Sequence, residues 1–199
     1  MHSHTPTPPS EWLLRWAHLI RPGGRVLDLA CGHGRHAHWL ATQGFVVTAL
    51  DRDAAALAAT RQGWPAHGTE GTLLQADVEN GPWPLPAVCQ PGTWDAIVIT
   101  HYLWRPLWPA LLASLAVGGV YLHETFAHGN ASVGKPSRPD FLLQPGELLQ
   151  ACAPLRTVAY EDGFATQPER FLQRIVAVRE AVPASTLAQP PRHGLKPPG

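Results

Sequence analysis

A short apolar run, Val26-Leu27-Asp28-Leu29-Ala30, passes directly into Cys31-Gly32-His33-Gly34 and then into a helix-forming stretch from Arg35 to Gln43, which Gly44 closes. A strand that feeds a glycine turn that opens a helix belongs to open α/β sheets. There the glycines let the backbone come close to a ligand held at the helix N-terminus. A second apolar run, Phe45 to Leu50, ends at Asp51, nineteen residues after Gly32. A carboxylate at the end of the second strand is placed to accept hydrogen bonds from both hydroxyls of a ribose.

The alternation of strand and helix continues along the chain. Before the glycine turn, Ser10 caps a helix that runs to Ile20, with Trp12, Trp16 and Ile20 at helical spacing; Arg21-Pro22-Gly23-Gly24 ends it. After Asp51, Asp53 caps an Ala-rich helix to about Arg61, and a third strand, Leu73 to Ala76, ends at Asp77. Trp94 to Thr100 is a fourth strand, a Pro-started helix follows from Trp108 to Leu115, and Val120 to Phe126 is a fifth strand. Fully apolar strands with helical crossovers predict a parallel sheet covered on both faces. The last third differs. Residues 127–144 read as a long loop, Pro145 starts a short helix to Cys152, and Leu155–Tyr160 and Phe171–Val178 read as strands. The ten residues between them are too few for a helical crossover, so this pair is expected to be antiparallel. The expected architecture is a doubly wound α/β domain of seven strands over residues 10–180, with a flexible arm at 1–9 and a Pro-rich flexible tail at 181–199.

Composition narrows the function classes. Fifteen Lys and Arg balance fifteen Asp and Glu, which argues against a basic nucleic-acid grip or a polybasic membrane patch. Three cysteines, Cys31, Cys89 and Cys152, are widely spaced without a CxxC, so neither a disulfide framework nor a zinc ribbon is expected. His33 and His36 share a helix face, but His38 points elsewhere and no carboxylate joins them, so no metal site is expected. No apolar run approaches a membrane span, and the N-terminus lacks the order of a secretory signal. The chain is therefore expected in the cytoplasm.

Gly32-x-Gly34-x-x-Ala37 fits a dinucleotide fingerprint, so a nicotinamide oxidoreductase stands as an alternative. Asp28 argues against it, because a pyrophosphate wants no extra anion at the strand end, whereas a ligand with a cationic amino group would welcome one. The residues beyond the fifth strand are also few for a substrate domain. Asp28, Gly32, Gly34, Asp51 and Asp77 together resemble the class I S-adenosylmethionine-dependent methyltransferases, over roughly residues 24–178. The resemblance implies a Rossmann-like sheet whose last strand is antiparallel. It implies Asp28 near the methionine amino group, Gly32 against the cofactor, Asp51 on the ribose and Asp77 facing the adenine amino group. The wider cofactor set implied is Asp28, Ala30, Cys31, Gly32, Gly34, Arg35, His36, Asp51, Arg52, Asp77, Val78 and Thr100. Asp95 matches an acid whose role in that family is structural, and Leu115–Gly119 matches the turn before the fifth strand. Pro139–Leu148, Tyr160-Glu161-Asp162 and Tyr102–Pro106 look like the tellurite-resistance-type branch, which implies branch membership and no particular substrate.

Methyl transfer needs alignment and exclusion of water, and a base only where the acceptor arrives protonated. Loops at the C-terminal ends of the strands are expected to form the acceptor side: Thr100-His101-Tyr102 with Arg105, then Glu124-Thr125-Phe126, Asn130, and the loop with Lys135, Arg138 and Asp140. His101, Tyr102 and Arg105 are the candidate catalytic residues. His101 or Tyr102 would assist deprotonation or line the pocket, and Arg105, Lys135 and Arg138 would suit an anionic acceptor. Glu124 would pair with Arg105 or face the substrate. Trp12 and Trp16 would pack the N-terminal helix on the sheet or let it lid the cofactor. The expected acceptor is a small molecule; a binding protein without turnover and an enzyme acting on a protein or RNA partner are the other readings.

Overall fold

The computed structural model describes residues 7–81, 89–181 and 189–195. Its centre is a seven-stranded sheet in the order β3-β2-β1-β4-β5-β7-β6, built from β1 (Arg25–Leu29), β2 (Val46–Asp51), β3 (Thr72–Gln75), β4 (Trp94–Thr100), β5 (Leu115–Phe126), β6 (Arg156–Thr166) and β7 (Glu169–Val178). The first five strands are parallel, and β7 runs antiparallel to both β5 and β6. The strand order reverses between β1 and β4, which makes the C-terminal ends of these two strands the natural crevice of the sheet.

Five α-helices accompany the sheet: α1 (Glu11–Trp16), α2 (Arg35–Thr42), α3 (Ala54–Gln62), α4 (Trp108–Ser114) and α5 (Glu147–Ala151). Successive side chains of a strand alternate between faces, and two cores result. Leu27, Leu29, Ile97, Ile99 and Tyr121 pack with Leu111 on one face; Val26, Val98, Leu122 and Val176 pack with Trp12, Trp16 and Leu40 on the other. Asp28 has the parity of Val26 and lies under α2, where its carboxyl accepts from the Ala37 N–H.

Four elements depart from the sequence reading. The N-terminal helix is α-helical only to Trp16 and finishes as a 3-10 turn over Ala17–Leu19. The first strand stops at Leu29, because Ala30 takes a left-handed backbone with φ 56°. The fifth strand begins at Leu115, pairing Leu115 with Trp94 before an irregularity absorbs the Gly118-Gly119 turn. The segment between the last two strands is itself strand: β6 and β7 form a hairpin turned by Gln167-Pro168. Within the long loop, Leu143 bridges Ala127 in parallel, and short 3-10 turns cover Asn130–Ser132 and Pro139–Phe141.

Candidate cofactor and acceptor site

The glycine turn is clamped from two sides. The Gly32 N–H donates to Asp51 Oδ2 at 2.8 Å, and the Gly32 carbonyl accepts from Thr60 Oγ1 at 3.0 Å. Asp51 Oδ1 accepts from the Asp53 N–H at 2.9 Å, so each carboxylate oxygen is fixed by one backbone donor and keeps lone-pair capacity. Gly32 has φ 54°, and a Cβ there would meet nothing within 4 Å, so the turn presents bare backbone to open space. Gly34 is a glycine for another reason: a Cβ on it would lie 2.5 Å from Thr60 Cγ2. It lines neither cavity of the cofactor face and packs α2 against α3.

Below the turn lies Asp28, 1% exposed, with Oδ2 making no hydrogen bond. Burial pushes its pKa up to about 7, against the opposing pull of the Ala37 N–H and the Arg35 charge. Two residues at the crevice hold strained backbones: Ala30 after β1 and His101 after β4, with φ 56° and 57°. Both line two cavities that meet at them. One, about 410 Å³, is walled by Asp51, Arg52, Asp77, Val78, Tyr102 and Phe126. The other, about 770 Å³, is walled by Cys31, Gly32, Arg35, His36 and Thr100. The structure thus brings most of the expected cofactor set to one face, with Asp28 beneath it and Gly34 outside it.

Several of these residues carry partners that the sequence did not reveal. Asp77 caps its own turn, accepting from Glu79 N at 2.9 Å and Asn80 N at 3.1 Å; the Asn80 side chain and these amides hold its pKa down. His36 accepts from the Ser10 N–H at 3.2 Å, and burial lowers its pKa to about 3, so it is a neutral anchor for the N-terminal segment. His38 bonds the Thr60 carbonyl at 2.8 Å. Among the described residues no group of three or more His, Cys, Asp or Glu is placed to hold a metal ion.

On the acceptor side, His101 stacks on Phe126 at 4.8 Å and bonds Arg170 at 3.5 Å. Burial, then the charges of Arg35, Arg170 and Arg174, hold its pKa down to about 4, so it is neutral at physiological pH. The Tyr102 hydroxyl is buried beside Glu79; burial and that carboxylate raise its pKa, so it stays protonated. Arg105 is placed differently from the expectation. Its guanidinium is consumed by Glu147, with Nη2 on Oε2 at 2.9 Å, and by the carbonyls of Asp140 and Leu142 at 2.9 and 3.0 Å. It lines neither of the two cavities described above and ties the long loop to α5. Asn130 is likewise a tether, accepting from Phe171 N at 3.1 Å and donating to the Pro136 carbonyl at 3.0 Å. Arg138 is exposed and paired with Asp140 at 3.0 Å. Glu124 pairs with Arg174 at 2.6 Å and accepts from Ser10 Oγ at 3.0 Å, and makes no pair with Arg105. Asp95 is structural, holding Arg21 and the Arg25 N–H. Trp12 and Trp16 are core residues, 3% and 2% exposed, so the helix packs on the sheet. Arg170 and Arg174 escaped the sequence reading, since nothing local distinguishes them from charges on a solvated strand.

Residues 26–117 match a family described as a methyltransferase domain. TehB from Haemophilus influenzae is similar to the chain in fold, at 20% identity and a TM-score of 0.66, covering 82% of this chain and 60% of TehB. The glycopeptide N-methyltransferase MtfA, solved with S-adenosyl-L-homocysteine, matches at 20% identity and a TM-score of 0.60, covering 87% of this chain and 90% of MtfA. A ribosomal RNA small subunit methyltransferase C from Chromohalobacter salexigens is 42% identical over 76 residues, which is 38% of this chain and 20% of that relative. The chain therefore spans only a fifth of that relative's length. No helix among the described residues is long and apolar enough to cross a membrane.

Proposed function

We propose that residues 10–180 form one catalytic domain that transfers a methyl group from S-adenosylmethionine to a small molecule. The observation that carries this reading is the buried Asp28 carboxyl with one unsatisfied oxygen beneath the open glycine turn. An uncompensated buried carboxylate is costly, and a cationic amino group at the turn would satisfy it. A pyrophosphate at the same helix N-terminus would face the Asp28 carboxylate, which disfavours a nicotinamide cofactor.

Asp51 would accept from the ribose hydroxyls with its free lone pairs, and Asp77 and Val78 would border the adenine. S-adenosylmethionine held there would supply a methyl on a sulfonium, which an acceptor lone pair would take as the carbon–sulfur electron pair stays on a neutral thioether sulfur, with any acceptor proton passing to water. The chain's own part is positioning. The strained ends of β1 and β4 fix Ala30 and His101, and the neutral imidazole and Phe126 wall the transfer path without adding charge beside a cationic sulfur.

Calorimetric titration with S-adenosylhomocysteine, against reduced nicotinamide cofactor as control, tests the reading. Micromolar binding of the first alone is expected, and Asp51→Ala should weaken it by about 1–3 kcal/mol. Binding of the nicotinamide cofactor alone would overturn it. The 42% identity to a ribosomal RNA methyltransferase favours RNA as the second acceptor class. Transfer of labelled methyl to small-subunit ribosomal RNA, absent with small molecules, would select it.

A further inference from the structure

A third cavity, about 500 Å³, adjoins the cofactor face, sharing Thr7, Arg35 and His101 with the larger cavity there. Its walls are polar and come from three places: Pro8 to Glu11 of the N-terminal segment, Arg35 and Glu124, and the β6–β7 hairpin with Arg170 and Arg174. Of these shared residues, His101 alone also lines the smaller cavity, so it stands where all three spaces meet.

The cations are unequally engaged. Arg174 is held by Glu124 at 2.6 Å and by Glu161 at 3.3 Å. Arg35 donates to the Pro8 carbonyl, at 3.3 Å. Arg170 has its 3.5 Å contact to His101, and its buried Nε makes no hydrogen bond. Among the described residues neither Arg35 nor Arg170 is paired with a carboxylate, and the planar fork of arginine matches one. Three arginines against Glu11 and Glu124 leave the cavity with one formal positive charge. That balance suits a monoanion, and the two glutamates oppose a dianion.

Resting on the methyltransferase reading, we infer that this cavity holds the methyl acceptor by a carboxylate, with Arg170 and Arg35 as its anchors. The carboxylate is the handle. Paired arginines withdraw its electron density, so the atom that receives the methyl is another group of the same molecule, directed past His101 toward the cofactor face.

The test is titration of the wild-type chain, alone and with saturating S-adenosylhomocysteine, with acetate, hexanoate and benzoate, each beside its neutral amide, and with phenyl phosphate. At least one carboxylate should bind tenfold or more tighter than its amide and tighter than phenyl phosphate. Arg170→Gln should weaken that carboxylate at least tenfold, Arg170→Lys less, and neither should change S-adenosylhomocysteine affinity, since Arg170 lines only this cavity. Amides binding as well as acids, no carboxylate binding, or phenyl phosphate binding tightest would each overturn the inference. Failure of S-adenosylhomocysteine to bind would instead overturn the cofactor reading, and the carboxylate series would still report on the cavity. If Arg170→Gln does not fold, the acid-versus-amide comparison on the wild type decides.

Discussion

Between the ordinary carboxylate range and about pH 7, folded Asp28 holds a proton that the unfolded chain has released. Stability therefore falls as pH rises through that interval, and above it the chain carries a buried charge. A ligand ammonium favours the same charge, so S-adenosylhomocysteine affinity should rise with pH across about 7. Asp28→Asn should raise the Tm at pH 8 by a few degrees, flatten its pH dependence, weaken S-adenosylhomocysteine binding tenfold or more and abolish the pH dependence of that affinity. Scanning calorimetry and titration at pH 6 and pH 8 check both halves; a Tm that falls at pH 8 would mean the amide fits the site worse than the buried charge. The placement of Asp28 in β1, Gly32 in the turn and Asp51 at the end of β2 was legible because one strand–turn–helix unit and the strand after it fix their spacing. The reason for Gly34 was not, since its constraint is the Thr60 side chain on the next helix. Arg105 was misplaced on the acceptor side because its partner Glu147 lies 42 residues away and no local pattern announces the pair.

At the scale of elements, the apolar strands from β1 to β5 were readable because burial on both faces leaves continuous hydrophobic runs. The outer end of the hairpin was not. β6 is an edge strand, and its Glu161-Asp162-Gly163 faces solvent, so it carries the composition of a turn while these residues pair in register with Arg174, Gln173 and Leu172 of β7. The end of the long loop after β5 is tied down by Arg105, which bonds two of its carbonyls and the helix that follows it. Arg105→Ala should cost about 1–3 kcal/mol, because Glu147 and both carbonyls lose a charged donor. Hydrogen exchange should then accelerate at the Leu142 and Leu143 amides, with those of β4 following only the global stability. Uniform acceleration across both elements would show that the loop does not open on its own.

At the scale of the molecule, the N-terminal helix closes the second core and also reaches the ligand cavities. Trp12 packs edge-on to Trp16 at 5.7 Å and donates its indole N–H to the Ile175 carbonyl in β7 at 3.2 Å. Two residues earlier, Ser10 caps the helix, bonds Glu124 in β5 and meets His36 in α2. The helix was legible from its spacing, but which strands it covers depends on the β7 insertion beside β5, which no local pattern encodes. Its position couples the start of the chain to both ligand spaces. Trp12→Ala should destabilise by about 3–5 kcal/mol in urea unfolding. A ligand at a hundred times its Kd restores about 2.7 kcal/mol. S-adenosylhomocysteine at that level should therefore recover a large part of the loss, because the glycine turn and Asp51 are untouched by the substitution. A carboxylate acceptor should recover less, because Ser10 and Glu11 wall its cavity and move with the helix. Unfolding curves of the variant with each ligand separate the two, and equal recovery by both would show that the N-terminal segment does not shape the acceptor cavity.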